Sequence, residues 1–572
     1  FLFTNLCKEV TTLKRNNKVT DSLISEKWFT GVSPKAKSHL FSSLSNLREG
    51  APTTPSFKLY GKSDWSVVTD FLSKVSSLSG VPKWLLEYEY SRKEKFGPQG
   101  GHAPWDELKE NAEMYFSRVS NVVDRSCDAT NYYNLHCKLA SYTSVLTEMK
   151  FDGKIQTRAA GWRAFDLKKT DPLAQRMALQ DLHSGDWRKG WAYFFSRYNK
   201  MKKRLFIPMP FSNMIGQAQY YSPFLKEIQR DLLVESSNSR FRFWADKIGF
   251  QKCFHSVVEP LLKGIDPKHI VYVMRDFEKM DTTTGPDQKL CYFIPKLAAA
   301  FGLGRNSKEM NRMTEMILFS NRCPIATPDG MWTGDHGEAS GATVTNGGET
   351  CCNEEYNRIF QSKLKQLCFA FELAHNLKGP LYEEIISLGN GDDGITMYLL
   401  HYLEFFDEFD RMIRDAAKFA ADQTQFRIQE DKWDILLGTY GKYCQYLTSW
   451  DGDSFHAYYP AALALNSIVN PEKQYKKEYW DKDYRDIDII MKLSTCAELP
   501  YFNQLIDYVD EGMKYGLLGR SEEATHRILS KYDKYISLQD EHFRFNIYAD
   551  EDKGLENNPV VKYMLSKIST HR

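Results

Sequence analysis

The stretch "ISLGNGDDGITMYL", residues 386–399, constrains the chain more than any other. Apolar, β-branched flanks surround "GNGDDG", whose Gly, Asn and Asp supply the positive φ angles of a tight hairpin. Two strands joined by a short turn are therefore expected, with Asp392 and Asp393 at the tip. Adjacent carboxylates repel, and their pKa values rise unless a cation or a hydrogen-bond donor compensates. Alone, such a pair is an ordinary surface turn. Joined by carboxylates from other elements, it becomes a site for a divalent metal.

Those partners are present upstream. "HIVYVMRDFEKMD" reads as a short buried strand over 269–274 running into an acidic loop, with Asp276 at its end and Asp281 five residues on. Two-metal phosphoryl transfer needs carboxylates from separate elements converging on a pair of hard cations. Asp276 and Asp392 are the expected metal ligands, with Asp393 beside them as a weaker one.

Between the two acidic segments lies "SGATVTNGGET", where small residues let the backbone approach a ligand and the hydroxyls of Ser340 and Thr345 offer hydrogen bonds. A long helix should follow, since Tyr356, Ile359, Phe360, Leu364, Leu367, Cys368 and Phe371 keep helical spacing, with Thr350 as its expected cap. Upstream, "KMKKR" reads as a basic strand presenting Lys202 and Arg204 on one face and Lys203 on the other, suited to a triphosphate. The next segment, "FIPMPFSNMIGQAQYYSPF", reads as extended and proline-punctuated before helix-like "LKEIQRDLLVE", and "KEKFGPQGGHAP" reads as a surface loop. Strand, strand-loop-helix, hairpin and helix in that order describe a mixed α+β core, with helices packed on one side of an antiparallel sheet.

At 572 residues the chain is long enough for roughly three or four units or one composite body. No uncharged apolar run reaches about 18 residues, so no membrane partner is expected. The opening "FLFTNLCKEVTTLKR" has too short an apolar segment for a secretory signal, and a start at Phe1 suggests trimming. Eleven scattered cysteines without a CxxC pair point to reduced thiols. The net charge of +1 excludes a simple polybasic nucleic-acid binder but not an enclosed channel, because charge is segregated: "RKGWAYFFSRYNKMKKR" has seven basic residues and no acid.

The order basic strand, DxxxxD, SGxxxT, GDD resembles the viral RNA-dependent RNA polymerases. "KMKKRLFIPMP" is similar to their motif F, "DFEKMD" to motif A, "SGATVTNGGET" to motif B and "NGDDG" to motif C. Asp276 to Ser340 is 64 residues and Ser340 to Asp392 is 52, within the spacing of such palms. "TNGGET" and "FIPMPFSNMIGQAQYYSPF" look most like the picobirnavirus and partitivirus group of double-stranded RNA viruses, the former favoured.

The resemblance implies a right hand of fingers, palm and thumb in the closed, encircled form. Fingers and N-terminal region would occupy 1–265, with an insertion at 301–325; the palm would take 266–300 and 326–450; the thumb and C-terminal region would take 451–572. It implies two Mg²⁺ or Mn²⁺ ions on Asp276, Asp392 and Asp393. Asp281, Ser340, Gly341 and Thr345 would sense the ribose, and Lys202, Lys203 and Arg204 would hold the triphosphate. Many positive-strand relatives have Asn nine residues after the motif B Ser; here Glu349 stands there, and Asn346 is expected to substitute. Lys432, before strand-like "WDILL", is the expected general acid of motif D, with Lys442 the other candidate, and "KYCQYLTSW" the motif E hairpin. Partners would be template and product RNA, ribonucleoside triphosphates and a viral capsid protein, in the virion interior and host cytoplasm. Against a reverse transcriptase stand GDD and the hydroxyl-rich "SGATVT"; against a non-catalytic capsid-associated RNA-binding protein stands the complete set of carboxylates.

Overall fold

The computed structural model describes residues 19–21, 25–117, 121–151, 159–230, 234–236, 239–243, 254–429, 433–472, 482–531 and 558–570. Its centre is a six-stranded sheet in the order Asp434–Leu437, Ile270–Arg275, Asp393–Leu400, Tyr382–Asn390, Ser239–Phe243, Val234–Ser236. The expected hairpin is there, with Asn390 opposite Asp393. The strand expected over 269–274 runs one residue later and pairs antiparallel with the hairpin, Arg275 facing Gly394. The sheet is antiparallel except where Tyr382–Asn390 meets Ser239–Phe243 in parallel.

Alternation along the central strands buries both faces. Val271 and Val273 point into a core with Tyr398 and Leu400, while Ile270, Tyr272 and Met274 point the other way with Ile395 and Met397. Helices Thr345–Ala374 and Phe406–Thr424 cover the first face, joining Tyr356, Phe360 and Leu364 to Phe409, Ile413 and Ala420. The second face is covered too, by a small sheet of Gly441–Tyr443, Tyr446–Trp450 and Phe455–Tyr458, so helices on one side describe only half of the layering. The first two of these strands form the hairpin read from "KYCQYLTSW", turning at Cys444 and Gln445.

Three local expectations are corrected. Thr350 caps nothing: the helix begins at Thr345, so Thr350 lies inside its second turn and is fully buried. Residues 211–224 are not extended but belong to helix Phe211–Arg230, which carries Pro223 within it. Burial of Phe211, Ile215, Ala218, Tyr221, Phe224 and Ile228 outweighs the one N–H that Pro223 removes, and Pro210 merely precedes the start. The loop at 93–104 is not a plain surface loop, since Gly97, Gln99 and Gly100 are buried.

That loop joins distant parts of the chain. Gly97 donates its N–H to Asn466 Oδ1 (2.9 Å) and Gln99 Nε2 donates to Asn470 O (2.7 Å), both in or just after helix Ala461–Val469. On its other side Gly100 donates to Tyr198 O (2.8 Å), and Lys200 donates its N–H to Gln99 Oε1 (3.0 Å). The basic hairpin Phe195–Asn199 and Lys202–Phe206 is thereby hung from C-terminal helices. Helices Ser66–Val75 and Lys83–Ser91 share one core with Ala461–Val469, Lys482–Ser494 and Phe502–Gly512. Glu89, wholly buried there, accepts the N–H groups of Ala461 (2.7 Å) and Ala462 (2.8 Å) and the Tyr501 hydroxyl (2.7 Å), a carboxylate set against a helix N-terminus. Among the described residues no helix is long and apolar enough to cross a membrane. The described cysteines are all free.

Candidate active site

The two acidic segments come together because of strand register. Arg275 faces Gly394, so the next step along the two antiparallel strands brings Asp276 beside Asp393, with Asp392 at the turn. All three aspartates are exposed at one end of a sheet whose interior is buried. Arg275 itself is buried across Gly394, donating to Asn357 Oδ1 (2.7 Å) and Leu388 O (3.3 Å). A Cβ at 394 would stand 2.7 Å from its guanidinium, which explains glycine there. Trp433 Nε1 donates to Asp276 O (3.1 Å), tying the last strand to the first carboxylate.

The turn is held from beneath by the long helix. Gly391 adopts φ 63° and donates its N–H to Thr350 Oγ1 (2.7 Å). Asn353 Nδ2 donates to Gly391 O (3.0 Å) and Asp393 O (3.1 Å), and Asn346 Nδ2 donates to Asn390 Oδ1 (2.8 Å). Thr350 and Asn353 carry no spacing signal in the sequence; only the packing of helix against hairpin reveals them. Asn346, expected at the ribose, is engaged with the hairpin.

Glu349 lies against the same turn, its Oε2 3.5 Å from where a Cβ on Gly391 would stand. It is 9 % exposed, and its Oε1 has no hydrogen-bond partner. Burial first, then the charges of Asp392, Asp281 and Glu338, push its carboxyl well above the usual range, with Lys289 opposing. Burial likewise raises Asp281, opposed by the Tyr115 hydroxyl and reinforced by Asp392. The carboxyl groups of Asp281, Glu349 and Asp392 are thus close enough to oppose one another's ionisation.

The motif B loop is built around close approach. Ile207, just past the basic strand, donates its N–H to Ser340 Oγ (3.2 Å) and accepts from the Gly341 N–H (3.2 Å). A Cβ on Gly341 would lie 2.4 Å from Ile207 O, so only glycine fits. Thr345 Oγ1 turns back into its own loop, toward Ala339 O (2.9 Å) and Ala342 O (3.0 Å). Beneath it, Glu338 and Lys289 form a wholly buried ion pair, and Lys289 also donates to Ser320 Oγ (2.8 Å). Of the basic strand, Lys202, Lys203 and Arg204 are all exposed, so both faces are open there, but Lys203 is paired with Glu107 (2.5 Å). Lys442 pairs with Asp434, and Lys432 lies outside the described residues.

The fold has counterparts among solved structures. The structure superposes on the crystal structure of the RNA-dependent RNA polymerase of a human picobirnavirus with a TM-score of 0.68, at 18% identity, over 94% of this chain and 99% of that one. The chain has the fold of a picobirnavirus RNA-dependent RNA polymerase. The insertion loop deletion mutant of that viral polymerase matches with a TM-score of 0.65, again at 18% identity over 94% and 99% of the two chains. No family model and no curated protein matches. The likeness to the picobirnavirus polymerase lies in the fold, and it agrees with the resemblance read from the motifs.

The donors around the hairpin fit a hard divalent cation. They are all oxygens, and one buried carboxyl oxygen, Glu349 Oε1, is unpartnered. Among the described residues no three His, Cys, Asp or Glu side chains are grouped to hold a metal by themselves. That is compatible with Mg²⁺, which takes one or two carboxylates and completes its shell with water and substrate phosphates.

Proposed function

We propose that this chain synthesises RNA on an RNA template, adding ribonucleoside triphosphates to a 3′ end. The observation that carries the reading is the register, Arg275 opposite Gly394 and Asn390 opposite Asp393, which sets Asp276 next to Asp393 beside the Asp392 turn. Asp276, Asp392 and Asp393 would hold two Mg²⁺ or Mn²⁺ ions, which supply activation of the attacking 3′ oxygen and charge neutralisation at the leaving pyrophosphate. Lys202 and Arg204 offset the triphosphate's charge from the exposed strand above. Asp281 receives the ribose 2′-hydroxyl, which a deoxyribonucleotide lacks. Ser340 and Gly341 fix the loop facing the nucleotide by their bonds to Ile207.

Residues 266–300 and 326–450 act as palm, 1–265 and 301–325 as N-terminal region and fingers, and 451–572 as thumb. The shared core of 59–88 and 461–513 supports a closed hand encircling product RNA. A viral capsid protein as partner, and work in the virion interior and host cytoplasm, belong to this reading as proposals. The test is incorporation of labelled ribonucleotide on a short single-stranded RNA with Mg²⁺ or Mn²⁺, comparing the chain with Asp392→Ala. Template-dependent product that disappears in the variant is expected. Equal product from both would refute the assignment of the site.

A further inference from the structure

Asp281 reaches the site already engaged. Its Oδ1 accepts the N–H of Thr282 (2.9 Å), and its Oδ2 accepts the phenolic hydroxyl of Tyr115. Tyr115 stands 166 residues earlier in the chain, near the end of helix Trp105–Ser117, and is 3% exposed. Its ring is fixed edge-on to Phe194 at 6.0 Å.

The helix that carries it touches each piece of the nucleotide site. Glu107 pairs with Lys203 of the basic strand (2.5 Å), Asn111 Oδ1 accepts from Lys279 Nζ two residues before Asp281 (2.7 Å), and Tyr115 O accepts the Gly337 N–H ahead of the motif B loop (2.7 Å). A helix so braced presents the phenol with little freedom, and the phenol has one proton to give. Given to Oδ2, it fixes the carboxylate's rotamer while leaving that oxygen a further lone pair.

We propose that Tyr115 is the positioning residue for sugar selection: by donating to Asp281 it holds the carboxylate where the free lone pair meets an incoming ribose 2′-hydroxyl. The inference rests on the polymerase reading above. Without the phenolic oxygen Asp281 turns toward Lys279, the cation that acts on it, and the 2′-hydroxyl loses its acceptor. A 2′-deoxynucleotide makes no bond there, so it has nothing to lose.

The experiment is single-nucleotide incorporation by the full chain on a short RNA template, with each ribonucleotide and its 2′-deoxy counterpart, for the native sequence, Tyr115→Phe, Asp281→Asn and the double variant. Tyr115→Phe removes one oxygen and keeps the ring, and its melting curve checks the fold. Expected is a fall of about tenfold in the ratio of kcat/KM for ribo- over deoxynucleotide, through a higher KM for the ribonucleotide, which is the low end of what a hydrogen bond to a charged group contributes. The double variant should be no less selective than Asp281→Asn alone. An unchanged ratio in Tyr115→Phe, whether overall activity falls or not, overturns the proposal, as does an additive double variant. If the native chain incorporates neither nucleotide, the polymerase reading itself falls and takes this one with it.

Discussion

Thr350 is one methyl group and one hydroxyl at the bottom of the Asp392 turn. Its Oγ1 accepts the Gly391 N–H, and no water can replace it because the residue is fully buried. Thr350→Val keeps the shape and leaves a buried N–H unpaired, at a cost of about 1–3 kcal/mol. A lower melting temperature and reduced nucleotide incorporation are expected together, measured by calorimetry and by the template assay; unchanged values for both would mean that the turn is held elsewhere. Residues of this kind mark the limit of what a single chain of letters discloses. Asp276, Asp392, Ser340 and Gly341 could be singled out as candidates because they stand in short, ordered motifs. Tyr115, Thr350 and Asn353 could not, because each earns its place only through a neighbour far along the chain, and nothing local distinguishes a buried Tyr beside Asp281 from any other core aromatic.

Among elements, the legible ones carried a local signal. The hairpin had apolar flanks around a turn sequence and helix Thr345–Ala374 before it kept its apolar stripe, so both were recognised, whereas helix Phe211–Arg230 hid behind three prolines and its stripe emerged only when packed. The parallel pairing of Ser239–Phe243 with the hairpin has no signature at all, since it joins segments about 145 residues apart. A titratable joint between elements sits near the end of the chain's small sheet. His255 bridges Glu498 (2.8 Å) and Glu259 (3.2 Å), and those carboxylates accept the N–H groups of Ala457 (2.8 Å) and Phe455 (3.1 Å). Burial opposes its proton, but the two carboxylates outweigh that and raise the imidazole above its ordinary 6.5. A raised histidine stabilises the fold fully below about 6.5 and loses that contribution as pH climbs through the folded value. The native protein should therefore lose more melting temperature between about pH 6 and pH 8.5 than His255→Gln does, by a small margin because the group is half exposed. Parallel curves would show that the joint carries no proton-linked stability.

Across the whole molecule, Glu472 gathers three regions. Its carboxylate takes Arg197 (3.0 Å) and Asn199 Nδ2 (2.9 Å) from the basic hairpin, and its carbonyl takes the Thr54 hydroxyl (3.0 Å). Glu472→Ala is expected to speed amide exchange in 195–206 while leaving the strands at 270–275 and 393–400 as protected as before, read by hydrogen–deuterium exchange with mass spectrometry. Uniform protection in both chains would place the anchorage of the hairpin in the Gln99 and Lys200 contacts alone. The core shared by residues 59–88 and 461–513 also has a consequence in time. During synthesis, Phe71 and Leu72 leave the ribosome long before Leu465 and Tyr501, the residues they pack with, exist. At about 5–20 residues per second, the roughly 390–430 intervening residues take about 20–85 s to make. For that interval the apolar faces of Ser66–Val75 and Lys83–Ser91 have one another but lack their C-terminal partners, so this core closes only late in synthesis, and a nascent-chain chaperone is the natural guardian of the wait.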